Sequence, residues 1–187
     1  MKTYLLSMFM ILALVIYSCN SPQQTNTEGP TLANNTPKGQ ASVVDDVSAR
    51  NILQVAISSK DHSTLVAAVQ AAEIEHILVN AGPLTVFAPV NAAFDALPEG
   101  TVANLLLPEN KATLANILTR HAAPGSFDLA ALKKEARKGR KIYTATGDYF
   151  EVTVDGEDVY IAGAKILGTV QTSNGVINVI DKVILPK

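Results

Sequence analysis

Only one cysteine occurs among the 187 residues, at position 19, and tryptophan does not occur. A chain with a single cysteine forms no internal disulfide, so a folded domain has to be stable through packing alone. Aromatic residues make up 5% of the sequence and apolar residues 48%, which predicts a mostly aliphatic core. The net charge of −2 lacks the positive electrostatic footprint of nucleic-acid binding, and we expect no nucleic-acid partner.

Motifs for catalysis and metal binding are also missing. The three histidines, His62, His76 and His121, are not spaced as the paired ligands of a metal-binding helix. There is no Gly-x-Ser-x-Gly motif and no glycine-rich phosphate loop. The acidic run from Asp155 to Asp158 is typical of a solvated hairpin turn. We therefore predict no catalytic residue, no metal site, no cofactor and no enzymatic activity.

The first 18 residues have the composition of an export signal. A single lysine precedes an apolar run from Tyr4 to Tyr17, which is too short for a comfortable membrane span. The run ends in Ile16–Tyr17–Ser18–Cys19, which resembles a bacterial lipobox. This resemblance implies cleavage before Cys19 and lipid attachment to it, although Tyr17 departs from the small residue usual there. A plain secretory signal and an uncleaved anchor are the alternatives.

Residues 19–44 are polar, which predicts a flexible tether with a root-mean-square length of about 25–30 Å. Residues 45–187 then form the folded domain. Together these features predict a lipid-anchored protein of the cell envelope. Asn20 is not the Asp that resembles an inner-membrane retention signal, which favours the outer membrane. Whether the domain faces the periplasm or the outside stays open.

Two apolar stretches are expected to form the centre of the domain. In the first, residues 84–88 predict a buried strand, Pro89 ends it, and Asn91 is placed to cap the following helix. The second stretch, residues 174–186, closes the chain. A strand that leads directly into a helix has a sheet face and a helix face, and both have to be covered by other residues. We therefore expect the two stretches to be neighbours in the domain, with core on both sides.

The order of the remaining patterns predicts the fold class. Apolar side chains first recur at helical spacing, with Ser63, Thr101 and Asp128 as helix N-caps and Gly139 as the final stop. After Gly139 the period changes to two, and strands are expected around a two-residue turn at Gly147–Asp148 and onward to residue 185. Helices first and a strand meander last indicate an α+β domain.

Four stretches, in this order and spacing, resemble the fasciclin-like domain: Ser63 to Val69; Leu84 to Phe94 with Leu97–Pro98; Pro108 to Lys111 running to His121 and Pro124–Gly125; and Asn174 to Pro186. The resemblance implies a wedge of two β-sheets with flanking helices. It implies a non-enzymatic, extracytoplasmic domain used in adhesion and matrix contacts, and several relatives have also been associated with apolar pigments or lipids. It assigns structural roles to these motif residues: Thr85, Phe87, Pro89, Asn91, Phe94, His121, Asn174, Gly175, Asn178 and Asp181.

Three positions depart from the family pattern. Val90 replaces a threonine, Arg120 precedes His121 where a tyrosine is common, and Asn178 replaces a histidine. Integrin-type adhesion assigned to a Tyr–His pair is therefore not carried over. Asn178 can donate a hydrogen bond but cannot become charged near neutral pH. We expect Asn178 to be at least partly buried and hydrogen-bonded, and His121 to be a hydrogen-bonded structural residue.

One concentrated charge feature lies between the last helix and the first strand of the meander. We call it the basic cluster: Lys133, Lys134, Arg137, Lys138, Arg140 and Lys141. The structural interpretation is a solvated helix end whose cations suit the helix C-terminus. The functional interpretation is a contact site for acidic polysaccharide or anionic lipid.

Two classes of function remain open. The first is a membrane-tethered adhesion or interaction module, with the membrane as one partner through the N-terminal lipid and a polysaccharide, the matrix or another protein as the second. The alternative is a carrier of an apolar pigment or lipid, which needs a concave apolar site. The sequence does not separate the two, because core and pocket lining have the same composition.

Overall fold

The computed structural model describes residues 49–186; the predicted signal peptide, Cys19 and the tether lie outside the described residues. The described part is an α+β domain, as predicted, with its helices mainly in the first half and its strands mainly in the second. Its α-helices are α1 (Ile52–Ser58), α2 (Ser63–Ala72), α3 (Glu75–Val79), α4 (Asn91–Asp95), α5 (Thr101–Leu105), α6 (Lys111–Arg120) and α7 (Leu129–Arg137). Short 3₁₀ helices at Lys60–His62 and Pro108–Asn110 precede α2 and α6.

The strands of residues 49–186 form one large sheet and one small sheet. The strands are β1 (Leu84–Pro89), β2 (Ala122–Pro124), β3 (Ile142–Tyr143), β4 (Tyr149–Phe150), β5 (Val152–Asp155), β6 (Asp158–Ile161), β7 (Ala164–Thr172) and β8 (Gly175–Ile180). The large sheet has the order β2-β1-β8-β7-β6-β5, and β3 pairs with β4 alone. The wedge of two sheets implied by the family resemblance thus has two very unequal sheets.

The two apolar stretches are neighbours at the centre of the large sheet, as predicted. Strands β1 and β8 pair in parallel, with Leu84 opposite Gly175 and Pro89 opposite Ile180. Strand β2 flanks β1 and strand β7 flanks β8, both antiparallel. The sheet therefore brings the closing segment of the chain against a strand from its first half.

Core forms on both faces of this central pair, which confirms the expectation from the sequence. Side chains alternate along a strand, so Val86 and Ala88 face a cluster built with α1, α2, α3 and α6, while Phe87 faces the opposite cluster. Phe87 is completely buried and meets the ring of Phe150 edge-on at 6.2 Å between ring centroids. Burying one such side chain stabilises the fold by about 1.5–3 kcal/mol.

The caps differ in part from those predicted. Asp128 does cap α7, since its Oδ1 accepts the Ala131 N–H at 2.8 Å. Gly139 ends the same helix in a left-handed conformation at φ 63°, which any Cβ would disfavour. Thr101 and Ser63, in contrast, are the first residues of α5 and α2 and not their caps.

Asn91 does not cap its own helix, so that prediction is wrong. It is the first residue of α4, and its side chain reaches instead to the start of α2. Its Oδ1 accepts the Thr64 N–H at 3.0 Å, and its Nδ2 donates to the Lys60 carbonyl at 2.9 Å and to the Ser63 hydroxyl at 3.0 Å. Asn91 therefore accepts a hydrogen bond from a free backbone N–H at the amino end of α2, 27 positions earlier. This contact joins α2 to the end of β1.

The hairpin after α7 also departs from the sequence prediction. Tyr143 pairs with Tyr149, so five residues and not two connect β3 to β4. The Thr144 N–H donates to the Asp148 carbonyl at 2.8 Å, which closes this longer loop. The strand predicted to begin at Tyr149 is interrupted at Glu151, so that β4 belongs to the small sheet and β5 to the large sheet. The last strand, predicted to reach residue 185, ends at Ile180.

Candidate functional site

The motif residues of the central strands are engaged in the fold itself. Thr85 is fully buried; its hydroxyl donates to the Gly125 carbonyl at 2.8 Å and accepts the Phe127 N–H at 2.9 Å. Pro89 ends β1, and Phe94 lies 8% exposed in the core on the side of the N-terminal helices. These side chains are buried and leave no polar atom toward solvent.

His121 is a buried structural residue with both ring nitrogens in use. It is 3% exposed, its Nδ1 lies 2.8 Å from the Ile117 carbonyl, and its Nε2 accepts the Ile184 N–H at 2.9 Å. A carbonyl only accepts, so Nδ1 carries the proton and the ring is neutral. The pKa of His121 is lowered to about 4, chiefly by burial and to a smaller extent by the Arg120 charge, against the opposing effect of the hydrogen bond to the Ile117 carbonyl.

Asn174 joins three segments of the chain. Its Oδ1 accepts the Ile52 N–H at 3.0 Å, and its Nδ2 donates to the Leu78 carbonyl at 2.8 Å and the Asn80 carbonyl at 3.2 Å. The next residue, Gly175, lies so close to β1 that a side chain does not fit: a Cβ on Gly175 would lie 1.8 Å from the Leu84 carbonyl oxygen. Both residues fix where β8 enters the sheet.

Asn178 and Asp181 complete the set of motif residues. Asn178 is fully buried; its Oδ1 accepts the Thr169 hydroxyl at 2.7 Å and its Nδ2 donates to the Phe127 carbonyl at 2.8 Å. This confirms that Asn178 is buried and hydrogen-bonded. Asp181 accepts the Lys165 N–H at 2.7 Å. Their hydrogen bonds are made inside the domain, so these residues support the fold and present no reactive arrangement.

Outside the motifs, the described residues form no metal centre and no membrane-spanning helix. Within residues 49–186, no three His, Cys, Asp or Glu side chains are grouped so that they could hold a metal ion. None of the helices in the same range has the length and apolar character that crossing a bilayer requires.

An apolar cavity lies between the N-terminal helices and the central sheet. Its walls come from α1, α2, α3, α6 and β1, and its volume is about 30 Å³. Ligand sites for small organic molecules have volumes of roughly 300–1,000 Å³. The cavity is therefore the size of a packing defect. It can hold at most one small apolar group, and it is too small for a pigment or a lipid chain.

Half of the basic cluster is neutralised by carboxylates. Lys133 pairs with Glu157 at 2.9 Å, Arg140 with Glu135 at 2.6 Å, and Lys141 with Glu151 at 3.3 Å. Two of these partners come from connections between strands of the meander: Glu151 lies between β4 and β5, and Glu157 lies in the β5–β6 turn. The structure thus divides the predicted cluster into a paired and an unpaired half.

The unpaired half consists of Lys134, Arg137 and Lys138. All three are exposed, and none has a carboxylate partner among residues 49–186. Arg137 also lines a solvent-filled groove of about 590 Å³ between α7 and β5. These cations are therefore available to an anionic partner.

Two tyrosines that sequence analysis did not identify are brought together in the structure. Tyr143 and Tyr149 face each other across the β3–β4 hairpin, 67% and 54% exposed, with ring centroids 6.5 Å apart. The Lys141 ammonium lies 4.0 Å from the centroid of the Tyr149 ring. Ile142 alternates with Tyr143, and Phe150 with Tyr149, but the sequence does not show that both rings share one outer face, because that depends on the register of the hairpin.

Arg120 is the second feature missed. Its guanidinium pairs with Asp148 and lies 5.3 Å from the centroid of the Phe150 ring, and its side chain is 13% exposed. Asp148 also accepts the Thr146 hydroxyl at 3.0 Å. Arg120 therefore fastens the loop of the β3–β4 hairpin to the end of α6, a structural role in place of the tyrosine common in the family pattern.

This fold, with its motif residues in the central strands, is that of a fasciclin domain, and the chain belongs to the fasciclin family: the family model described as "Fasciclin domain" matches residues 60–186. The chain is 45% identical over 140 residues to protein sll1483 of Synechocystis, covering 74% of this chain and 75% of that protein. It is 30% identical over 118 residues to the cell surface glycolipoprotein MPB83 of Mycobacterium bovis, covering 58% of this chain and 46% of that protein.

A solved structure supports the fold assignment. The FAS1 domain pair from the insect cell adhesion molecule fasciclin I superposes with a TM-score of 0.67 at 18% sequence identity. The match covers 73% of this chain and 51% of the insect chain. At this identity the likeness concerns the fold.

Proposed function

We propose that this protein is an extracytoplasmic adhesion or interaction module that a lipid on Cys19 tethers to the cell envelope, and that it is not an enzyme. The observation that carries the proposal is the use of the motif residues. The side chains of three motif residues form their hydrogen bonds within the domain: His121, Asn174 and Asn178. Specific contacts with a partner therefore have to be made by other residues, on the surface.

The comparisons support the same proposal. One relative is named a cell surface glycolipoprotein, and the matching solved structure belongs to a cell adhesion molecule. The Ile16–Tyr17–Ser18–Cys19 sequence resembles a lipobox, and a lipid followed by a polar tether would hold the domain away from the bilayer. We further propose the outer membrane as the site of attachment, on the basis of Asn20.

The carrier alternative is less well supported by the geometry. A cavity of about 30 Å³ would have to widen roughly tenfold to admit a pigment or a lipid, which would separate well-packed helices from the sheet. Mass spectrometry of the protein purified from its native envelope addresses this point. A stoichiometric apolar molecule in that preparation would favour the carrier over the interaction module.

The attachment is tested by Cys19→Ala in the full chain, with Ser18→Ala as the matched control. We expect Ser18→Ala to fractionate with membranes like the wild type, because a small residue is kept before the cysteine. Cys19→Ala should be released or incompletely processed. Separation of the inner and outer membranes by density then shows which of the two membranes carries the wild-type protein. A Cys19→Ala variant that stays membrane-bound at the mature size would contradict lipid attachment.

A further inference from the structure

The exposed face of the β3–β4 hairpin carries two large aromatic rings side by side. Ile142 and Phe150 point into the core at 2% exposure, which leaves Tyr143 and Tyr149 on the outer face; we call these two the tyrosine pair. Their rings meet edge-on, with an angle of 70° between the ring planes. Adjacent exposed rings contribute little to the core and mark a contact surface.

The hairpin is held rigidly although each strand has only two residues. Phe150 packs against Phe87 beneath it, and the Arg120–Asp148 pair fastens its loop. The Ala145 N–H donates to the Ala122 carbonyl at 2.7 Å, which joins the same loop to β2. A surface that is already ordered loses little conformational entropy when a partner binds.

The surroundings of the tyrosine pair are positively charged on one side. Lys141 lies over Tyr149, and the unpaired cations Lys134 and Arg137 occupy the last turn of α7, with Lys138 directly after it. The nearby carboxylates are paired: Glu151 with Lys141, Asp148 with Arg120 and Glu157 with Lys133. The charge of this surface is complementary to an anionic partner.

A groove continues from the hairpin. Glu151 connects β4 to β5, and the groove of about 590 Å³ runs between β5 and α7, with Arg137 and Lys133 in one wall and Val152 and Val154 in the other. No strand among residues 49–186 pairs with the outer edge of β5. An extended chain molecule therefore finds two exposed aromatic rings followed by an open groove.

We propose that the tyrosine pair and the unpaired cations of α7 form a binding surface for an acidic polysaccharide. Sugar rings pack their C–H faces on Tyr143 and Tyr149, whose hydroxyls remain free to hydrogen-bond. Carboxylate or sulfate groups along the chain meet Lys134, Arg137 and Lys138. This inference rests on the proposed surface function and names the class of partner.

Two features favour a polysaccharide over other anionic partners. A stable protein interface covers about 800 Å² on each side, which a hairpin of two-residue strands does not provide, whereas a polymer can repeat a small contact. A planar membrane surface could touch the tyrosine pair and Lys138 but could not enter the groove beside Arg137. A single polysaccharide strand can follow both.

The test compares the binding of the full chain, purified in detergent, to dextran sulfate and to neutral dextran of the same length. The wild type should bind the sulfated chain only, more weakly as salt rises. Tyr143→Thr with Tyr149→Thr should lower affinity about tenfold and leave the salt dependence unchanged. A triple variant should bind dextran sulfate with an affinity that depends less on salt; it combines Lys134→Ser, Arg137→Ser and Lys138→Ser. Leu167→Thr, an apolar residue 53% exposed on β7, is the matched control.

The inference is overturned if the tyrosine variant binds dextran sulfate as the wild type does, or if neutral dextran binds equally well. Vesicles of phosphatidylglycerol form the second arm, in which every protein also carries Cys19→Ala and is assayed without detergent, so that an N-terminal lipid cannot insert into the vesicle. If they bind more tightly than dextran sulfate and lose binding in both variants, the partner is an anionic membrane surface instead. Neither outcome changes whether the wild type carries a lipid on Cys19, which mass spectrometry of its N-terminus measures, so failure of the polysaccharide inference is distinguishable from failure of the proposed function.

Discussion

The backbone N–H of Ile184 donates a hydrogen bond of 2.9 Å to Nε2 of His121, 63 positions earlier in the chain. This bond fixes the segment after β8 against the end of α6, and both residues are buried. It requires a neutral imidazole, because a protonated ring has no acceptor nitrogen. The closing segment is therefore held by a bond that acid can break.

We predict that the domain loses stability between about pH 6.5 and about pH 4. The unfolded chain gains a proton on His121 near its ordinary pKa of 6.5, whereas burial holds the pKa in the folded domain at about 4. The stabilisation is fully present above pH 6.5 and falls by about 3 kcal/mol as pH drops to 4. Urea unfolding at several pH values measures it.

His121→Gln is the variant for comparison, since glutamine does not titrate. It should be less stable than the wild type at pH 7, but its free energy of unfolding should change less steeply with pH. His62, whose pKa burial also lowers, contributes equally to both proteins. Parallel pH profiles for the two proteins would show that His121 is not the titrating group.

Asn178→Leu should destabilise the domain by about 1–3 kcal/mol. The change leaves the Phe127 carbonyl without its donor and the Thr169 hydroxyl without its acceptor, in a position with no access to water. Asn116→Leu, on the exposed side of α6, is the control and should shift the denaturation midpoint little. Equal midpoints for the two variants would exclude the role given to Asn178.

Gly175→Ala should cost about 3 kcal/mol or prevent folding, because the new methyl group would meet the backbone of β1 and not a side chain that can move. Gly168→Ala provides a close control: Gly168 lies on the neighbouring strand, and a Cβ there meets no atom within 4 Å. Thermal melting of both variants is the measurement. A Gly175→Ala protein as stable as Gly168→Ala would show that β1 and β8 can separate without cost.

Asp148→Ala should destabilise the domain by about 1–3 kcal/mol, since it leaves the mostly buried Arg120 guanidinium without its anionic partner. Glu157→Ala removes a carboxylate that is 97% exposed from its pair with Lys133, and should leave the free energy of unfolding nearly unchanged because solvent screens the pair. Chemical denaturation compares the two. A larger loss for Glu157→Ala would contradict the assignment of Arg120 as the fastening residue.

The sequence predicts the centre of the fold well, because apolar strands buried on both faces have a distinct composition. It could not show that Asn91 hydrogen-bonds to α2, since that contact depends on where β1 ends in space. For the same reason the sequence could not show that Lys141 and Lys133 are paired. Glu151 lies between β4 and β5 and Glu157 in the β5–β6 turn, and only folding brings them to these lysines.

The tyrosine pair shows another limit of local patterns. A tyrosine in a predicted strand is compatible with either face, and the register of the hairpin decides which. Here a five-residue loop sets Tyr143 opposite Tyr149, whereas the predicted two-residue turn at Gly147–Asp148 would have paired Thr146 with Tyr149. The exposed aromatic surface thus follows from loop length, which the Thr144 and Asp148 hydrogen bonds determine.

The position of β8 between β1 and β7 has a consequence for how the domain is made. Until residues 175–180 are present, β1 with β2 and the β5–β7 meander are separate fragments with unpaired edges facing each other. Parallel pairing across so many residues forms slowly, and open edges of this kind favour association between chains. A ribosome or an export channel that still encloses residues 175–180 therefore holds a chain whose large sheet cannot yet form, and the domain is completed only after these residues emerge.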